Sequence, residues 1–131
     1  KNIPALKIVY IYLRSETFEV CMLIDFNQIE AIRGPGMNHG SGEMSAQVFD
    51  CEQGKFVITR IHPFGSIGIH EQKLGDDINY VISGTGTAYV DGKEEALYPG
   101  CCHICPKGSR HKIMNTGIDD LVLFTAIVDR G

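Results

Sequence analysis

The chain has 131 residues, 44% of them hydrophobic and 21% charged, so it carries the composition of one folded globular domain and excludes an intrinsically disordered polymer. The formal net charge is −4, and the 12 Lys and Arg form no basic run, which argues against nucleic acid or an anionic membrane surface as a partner. No apolar stretch approaches the roughly 20 residues of a membrane helix. No secretory leader pattern opens the chain, and the five cysteines are odd in number with three of them between 101 and 105; a reducing, cytoplasmic setting is expected.

In chain order, residues 6–13 and 18–24 read as two strands joined by the polar residues 14–17. Residues 25–31 are the only helical candidate, capped by Asp25. Residues 34–42 contain four glycines and a proline but no Gly-Lys-Ser/Thr ending, so they are not a phosphate cradle. They read as a surface connection or, alternatively, as a lid that brings His39 over a cavity. From there on, Gly and Pro punctuate short runs rich in Val, Ile, Tyr, Phe and Thr: 56–61, 78–82, 87–90 and 121–128, the last interrupted by Thr125. Regular spacing of that kind predicts an all-β sandwich or barrel. Asp91-Gly92 lies between two of the runs and predicts a two-residue hairpin turn with positive φ at both positions.

Chemistry concentrates after residue 65. His70 and Gln72 stand at i and i+2, which places them on one face of a strand. Asp77 follows a turn containing Gly75, and His111 follows another turn, so neighbouring strands could bring all four groups together. Asp76 is the alternative to Asp77 and is expected to face solvent. Asn79 shares the face of Asp77; a polar amide there suggests a hydrogen bond to ligand or water. Arg60 could clamp a carboxylate if it faces inward, and Tyr80 is a further ligand-contact candidate. Cys101, His103 and Cys105 share another strand face. They lack the second short-spaced pair that a structural zinc site requires, so packing is the default for the thiols. If that face points inward, His103 could join the main site. A nucleophilic hydrolase fits poorly, because no Gly-x-Ser-x-Gly elbow is present.

The pattern Gly-x5-Pro-x-Gly-x2-His-x3-Asn is met at Gly100, Pro106, Gly108, His111 and Asn115, and His70, Gln72, Asp77 and Gly84 follow the spacing of a second motif. These two motifs resemble those of small single-domain cupins, over about residues 54–131. The second motif is complete. In the first, Gln72 stands where the family has His, Asp77 where it has Glu, and Gly65 lies one residue nearer His70 than usual. The resemblance implies a cupin-type (jelly-roll) double-stranded β-barrel with extra N-terminal strands: one domain over 1–131, with N-terminal strands and the Gly-rich loop in 1–53 and the barrel core in 54–131. It implies a homodimer, with residues 6–13 offered to the sheet edge of a neighbouring subunit, and residues 1–21 as an extension whose role is open.

It also implies a divalent transition metal (Mn, Fe, Ni or Zn) held by His70, Gln72, Asp77 and His111, with Asn79, Arg60, Tyr80 and His103 around a small-molecule substrate. Gln72 offers a neutral amide oxygen, a weaker donor than imidazole, and Asp77 must reach from one methylene farther back than Glu. The function implied is a metal-dependent dioxygenase, isomerase or decarboxylase acting on a small polar carboxylate or sugar derivative. The alternative is a non-enzymatic small-ligand binder with a degenerate metal site.

Overall fold

The structure is a computed structural model that describes residues 9–14 and 17–130, with side chains from Met22 onward. Two compact units divide it, residues 1–30 and 31–131. In the first, β1 (Val9–Arg14) pairs antiparallel with β2 (Thr17–Met22) of the same chain, Val9 opposite Met22. Residues 6–8 and 15–16, part of the two strands and the join expected there, lie outside the described residues. The helix expected over 25–31 is reduced to one 3-10 turn, Phe26–Gln28. Asp25 does cap it, its Oδ1 accepting from the Asn27 amide at 3.0 Å.

The second unit is built from β3 (Ile32–Pro35), β4 (Glu43–Cys51), β5 (Gly54–Ile61), β6 (Ser66–Glu71), β7 (Asp76–Ser83), β8 (Gly86–Val90), β9 (Lys93–Leu97), β10 (Cys102–Cys105), β11 (Arg110–Asn115) and β12 (Leu121–Val128). These form a six-stranded sheet in the order β10-β7-β12-β5-β4-β3 and a four-stranded sheet in the order β6-β11-β8-β9. From β5 onward the chain crosses between the sheets at every connection but the β8–β9 hairpin, which gives the jelly-roll weave expected from the sequence. Among the described residues no strand ladder joins the edges of the two sheets, so the barrel is an open sandwich and not a closed cylinder. The expected boundary at 53/54 also falls inside one sheet: β4 pairs with β5 along its length, from Met44↔Ile61 to Cys51↔Gly54.

Alternation along the strands decides what lies between the sheets. On β7, Asp77, Asn79 and Val81 are buried whereas Tyr80 and Ile82 are exposed. The apolar core gathers Ile61, Val81, Leu121 and Leu123 from the larger sheet against Ala88, Leu97 and Ile113 from the smaller one. Asn79 and then Asp77 follow Val81 on the same inner face, so β7 runs from the hydrophobic core into a polar region. Two turns hold this frame. The β8–β9 hairpin has Asp91 at φ 49 and Gly92 at φ 84, as its sequence required. Gly84, at φ 87, packs so closely on the Asp120 carbonyl that a side chain there would collide with it.

Candidate functional site

The inner faces of both sheets contribute to one cavity of about 320 Å³, whose lining includes His70, Gln72, Asp77, Asn79 and His111. The smaller sheet supplies His70 from β6 and His111 from β11, directly opposite each other in the ladder, with ring centroids 4.7 Å apart. A bulge in the β6–β11 ladder between His111 and Ile113 accompanies that pairing; such irregularities re-aim side chains near functional sites. The larger sheet supplies Asp77 and Asn79 from β7. One ligand atom each from His70, Asp77 and His111 lies within 4.8 Å of the others.

The hydrogen bonds fix which imidazole nitrogens face the cavity. His70 Nδ1 donates to the Gly68 carbonyl at 2.8 Å, so in the neutral ring it is Nε2 that offers the lone pair. His103, buried on β10, bonds through Nδ1 to Glu95 Oε1 at 2.9 Å and through Nε2 to His111 Nδ1 at 3.0 Å. Burial pushes the His103 imidazole below its ordinary pKa, more strongly than the Glu95 hydrogen bond raises it, so the ring is neutral and has a single N–H. A carboxylate only accepts, so that N–H is on Nδ1. His103 Nε2 therefore accepts, and His111 Nδ1 donates. His111 Nε2 is left facing the cavity, 3.1 Å from Asp77 Oδ2 but outside hydrogen-bond geometry, and offers a lone pair whenever the ring is neutral.

Three buried polar atoms at this place have no hydrogen-bond partner among the described residues: His111 Nε2, Asp77 Oδ1 and Asn79 Nδ2. Two of them offer electron pairs and the third offers protons. Orphaned groups of this kind are costly and rare in a folded interior. Imidazole nitrogens and a carboxylate converging with their lone pairs inward suit a divalent transition metal, and a cation relieves the repulsion between His111 Nε2 and Asp77 Oδ2. The donor set therefore fits the metal that the sequence motifs imply.

Of the residues expected at the site, Gln72 is buried and lines the cavity, its backbone pinned by bonds to Ser109 and Gly108. Asp76 faces away and bonds to the Lys107 amide and to Arg130. Two expectations are corrected. Arg60 lies in the outward phase of β5, between the inward Thr59 and Ile61, and its guanidinium donates to Gln47 at 2.8 Å. Tyr80 is 47% exposed on the outer face of β7. Neither lines the cavity; period-two alternation sends both to the other side of the sheet. His103 is not at the cavity wall either. It stands behind His111, so its expected contact with substrate becomes support of another side chain.

Cys101, His103 and Cys105 do not form a second ligand cluster among the described residues. Cys101 packs on the core and Cys105 is fully buried. The Gly-rich loop does reach the cavity, but through Met37 and Asn38, whereas His39 is exposed. It is fastened to β6, the Ser41 amide donating to Ser66 Oγ at 2.8 Å.

Sequence reasoning missed Glu95, Thr59 and Thr125. Thr125 Oγ1 donates to Asn79 Oδ1 at 2.8 Å and lies 3.1 Å from Thr59 Oγ1. The interruption of an apolar run by Thr125 was the available signal. A Ser45–His62–Asp120 chain also went unforeseen: His62 Nε2 is 2.7 Å from Ser45 Oγ and Nδ1 is 2.9 Å from Asp120 Oδ1. Ser45 is buried, and the three residues tie β4, the β5–β6 turn and the start of β12 together.

Comparison with known proteins agrees with this fold. The family model described as "Cupin domain" matches residues 57–127. A Thermotoga maritima protein named "Oxalate-binding protein" is 26% identical over 113 residues, covering 82% of this chain and 93% of that protein. The crystal structure of a predicted oxalate decarboxylase from the same organism has a TM-score of 0.76 at 25% identity, covering 82% of this chain and 98% of that one. The Cnp3 cupin domain of Schizosaccharomyces pombe, at 13% identity, has a TM-score of 0.70 over 93% of this chain and 87% of its own, a likeness of fold.

Proposed function

The chain belongs to the cupin domain family, and from that premise we propose that it binds a divalent transition metal through His70, Asp77 and His111 and holds a carboxylate ligand beside it. The observation that carries this reading is the set of three unpartnered buried atoms, His111 Nε2, Asp77 Oδ1 and Asn79 Nδ2. The first two ask for a cation. The third asks for an acceptor oxygen immediately next to it. A metal-bound carboxylate meets both demands at once.

When bound, the metal would supply Lewis-acid charge that draws a carboxylate oxygen into the site; Mn, Fe, Ni and Zn all suit a mixed imidazole and carboxylate set. His103 and Glu95 hold His111 in the tautomer that keeps its Nε2 unprotonated. Gln72 offers a neutral amide oxygen to the same centre. The name of the Thermotoga relative supports oxalate as the simplest ligand of this class.

Elemental analysis of the purified protein tests the metal, with His111→Ala as control, and titration of oxalate into Mn-loaded and chelator-stripped protein tests the ligand. The expected result is about one metal per chain, lost in the variant, and oxalate binding that depends on it. Folded wild-type protein that takes up no metal from supplemented medium would overturn the metal reading. Metal-loaded protein indifferent to oxalate and to other carboxylates would overturn the ligand reading.

A further inference from the structure

We propose that the ligand is a carboxylate carrying an apolar body, and that Asn79, aimed by Thr125 and Thr59, is the residue that selects its oxygen-bearing head. The inference rests on the carboxylate reading above and narrows it to a class of molecule.

The cavity is much too large for oxalate alone. Its volume of about 320 Å³ equals roughly ten waters at a liquid share of about 30 Å³ each. Two joined carboxylates displace only a few of these. Much of the remaining wall is apolar, with Met44, Val57, Ile67, Leu74 and Ile127 beside the polar end. Covering that wall with hydrocarbon removes apolar surface from water, a gain that oxalate leaves unused. Charge favours an anion once metal is present: Lys55 and Lys73 balance Glu71 and Asp77 in the lining, so a divalent ion leaves the cavity positive.

Asn79 supplies the selectivity. Thr125 spends its one proton on Asn79 Oδ1, so Thr59 donates to Thr125, and the chain runs Thr59 to Thr125 to Asn79. The Asn79 oxygen is thereby engaged on the sheet side. Its Nδ2, on a side chain only 2% exposed, is left with unpaired donors at the cavity. A site that presents buried donors discriminates strongly against a ligand without the matching acceptor. A carboxylate with a 2-oxo or 2-hydroxy oxygen offers acceptors for both Nδ2 and a metal, with its chain left to lie along the apolar wall.

Calorimetric titration of Mn-loaded and metal-free protein with oxalate, pyruvate, 4-methyl-2-oxopentanoate and phenylpyruvate tests this. The two larger acids are expected to bind at least tenfold more tightly than pyruvate or oxalate. Asn79→Leu is expected to weaken them tenfold or more with metal content unchanged. Leu74→Ser, at an exposed wall position where a polar side chain is tolerated, is expected to shrink the preference for the larger acids severalfold.

Oxalate binding as tightly as the larger acids overturns the inference while leaving the carboxylate reading standing. Unchanged affinity in Asn79→Leu overturns the role of Asn79 and means that the amide faces only water. If no metal is taken up, the metal-free arm still reads the ranking: preference for the larger acids that Asn79→Leu abolishes sustains the inference although the metal reading has failed. Absence of any carboxylate binding in both arms overturns both readings.

Discussion

The imidazoles of His103 and His111 meet nitrogen to nitrogen at 3.0 Å, their ring planes 19° apart, although one stands on the six-stranded sheet and the other on the four-stranded sheet. Glu95, from the smaller sheet, closes the far side of His103, so a carboxylate on the protein's surface sets the tautomer of a ring in its interior. The hydrogen-bonded chain Glu95–His103–His111 passes from sheet to sheet twice and ends facing Asp77. Loss of any member is felt at the site and in the packing of the two layers together.

Replacing His103 by Phe keeps the bulk of the ring and removes the acceptor for His111 Nδ1. A buried donor then lacks its partner, which costs about 1–3 kcal/mol of stability. Loss of such a supporting partner typically lowers metal affinity by about 10–100-fold. Urea unfolding and competition with a coloured chelator measure the two effects separately; unchanged metal affinity would show that the tautomer of His111 is fixed without His103.

Thr125→Val preserves shape but strips the proton from Asn79 Oδ1. The Asn79 side chain is then a buried amide with neither end held, and a loss of about 1–3 kcal/mol is expected by urea unfolding. Combined with Asn79→Leu, the loss should be clearly less than the sum of the single changes, because the second substitution removes the group that the first one orphaned.

Cys105 gives a pH dependence with a definite sign. Burial, reinforced by Asp77, pushes its thiol up to about 11. An unfolded chain releases that proton about two units earlier and so binds fewer protons between those values than the folded chain does. Stability is fully present below about pH 9 and falls as pH rises toward 11, by roughly 2–3 kcal/mol at most. Unfolding at pH 8 and pH 10 should show the decline, and Cys105→Ala should flatten it. At pH 8 an alkylating reagent should label the exposed Cys102 in the folded protein and leave Cys105 untouched.

Gly84→Ala should be among the most damaging single-methyl additions. It combines a positive φ with collision against the Asp120 carbonyl, so a loss above about 2 kcal/mol is expected. Gly92→Ala, with similar φ but open space around it, should cost about 1 kcal/mol. Thermal unfolding of the pair separates collision from backbone strain.

Arg60→Ala should leave carboxylate affinity unchanged in the titrations above, since its guanidinium is held by Gln47 on the outer face. A tenfold loss would show that the outer face takes part in binding.

The sequence by itself determined the strand-rich architecture, the Asp91-Gly92 hairpin and the nearness of His70, Asp77 and His111. Turn chemistry and two-residue alternation are local rules, and the resemblance of the two motifs to those of cupins implied that their strands, distant in sequence, converge. It did not determine on which face Arg60 and Tyr80 would fall, because a shift of one residue in strand phase reverses every side chain, and an interior Thr59 is indistinguishable in a short window from an exterior one. Nor could it join Glu95 to His103, or Thr125 to Asn79, which lie on different strands and meet only when pairing and sheet packing bring them together. Those tertiary contacts turned a list of polar residues into a directed arrangement: lone pairs from His70, His111 and Asp77 facing inward, an amide donor beside them, and an apolar wall beyond.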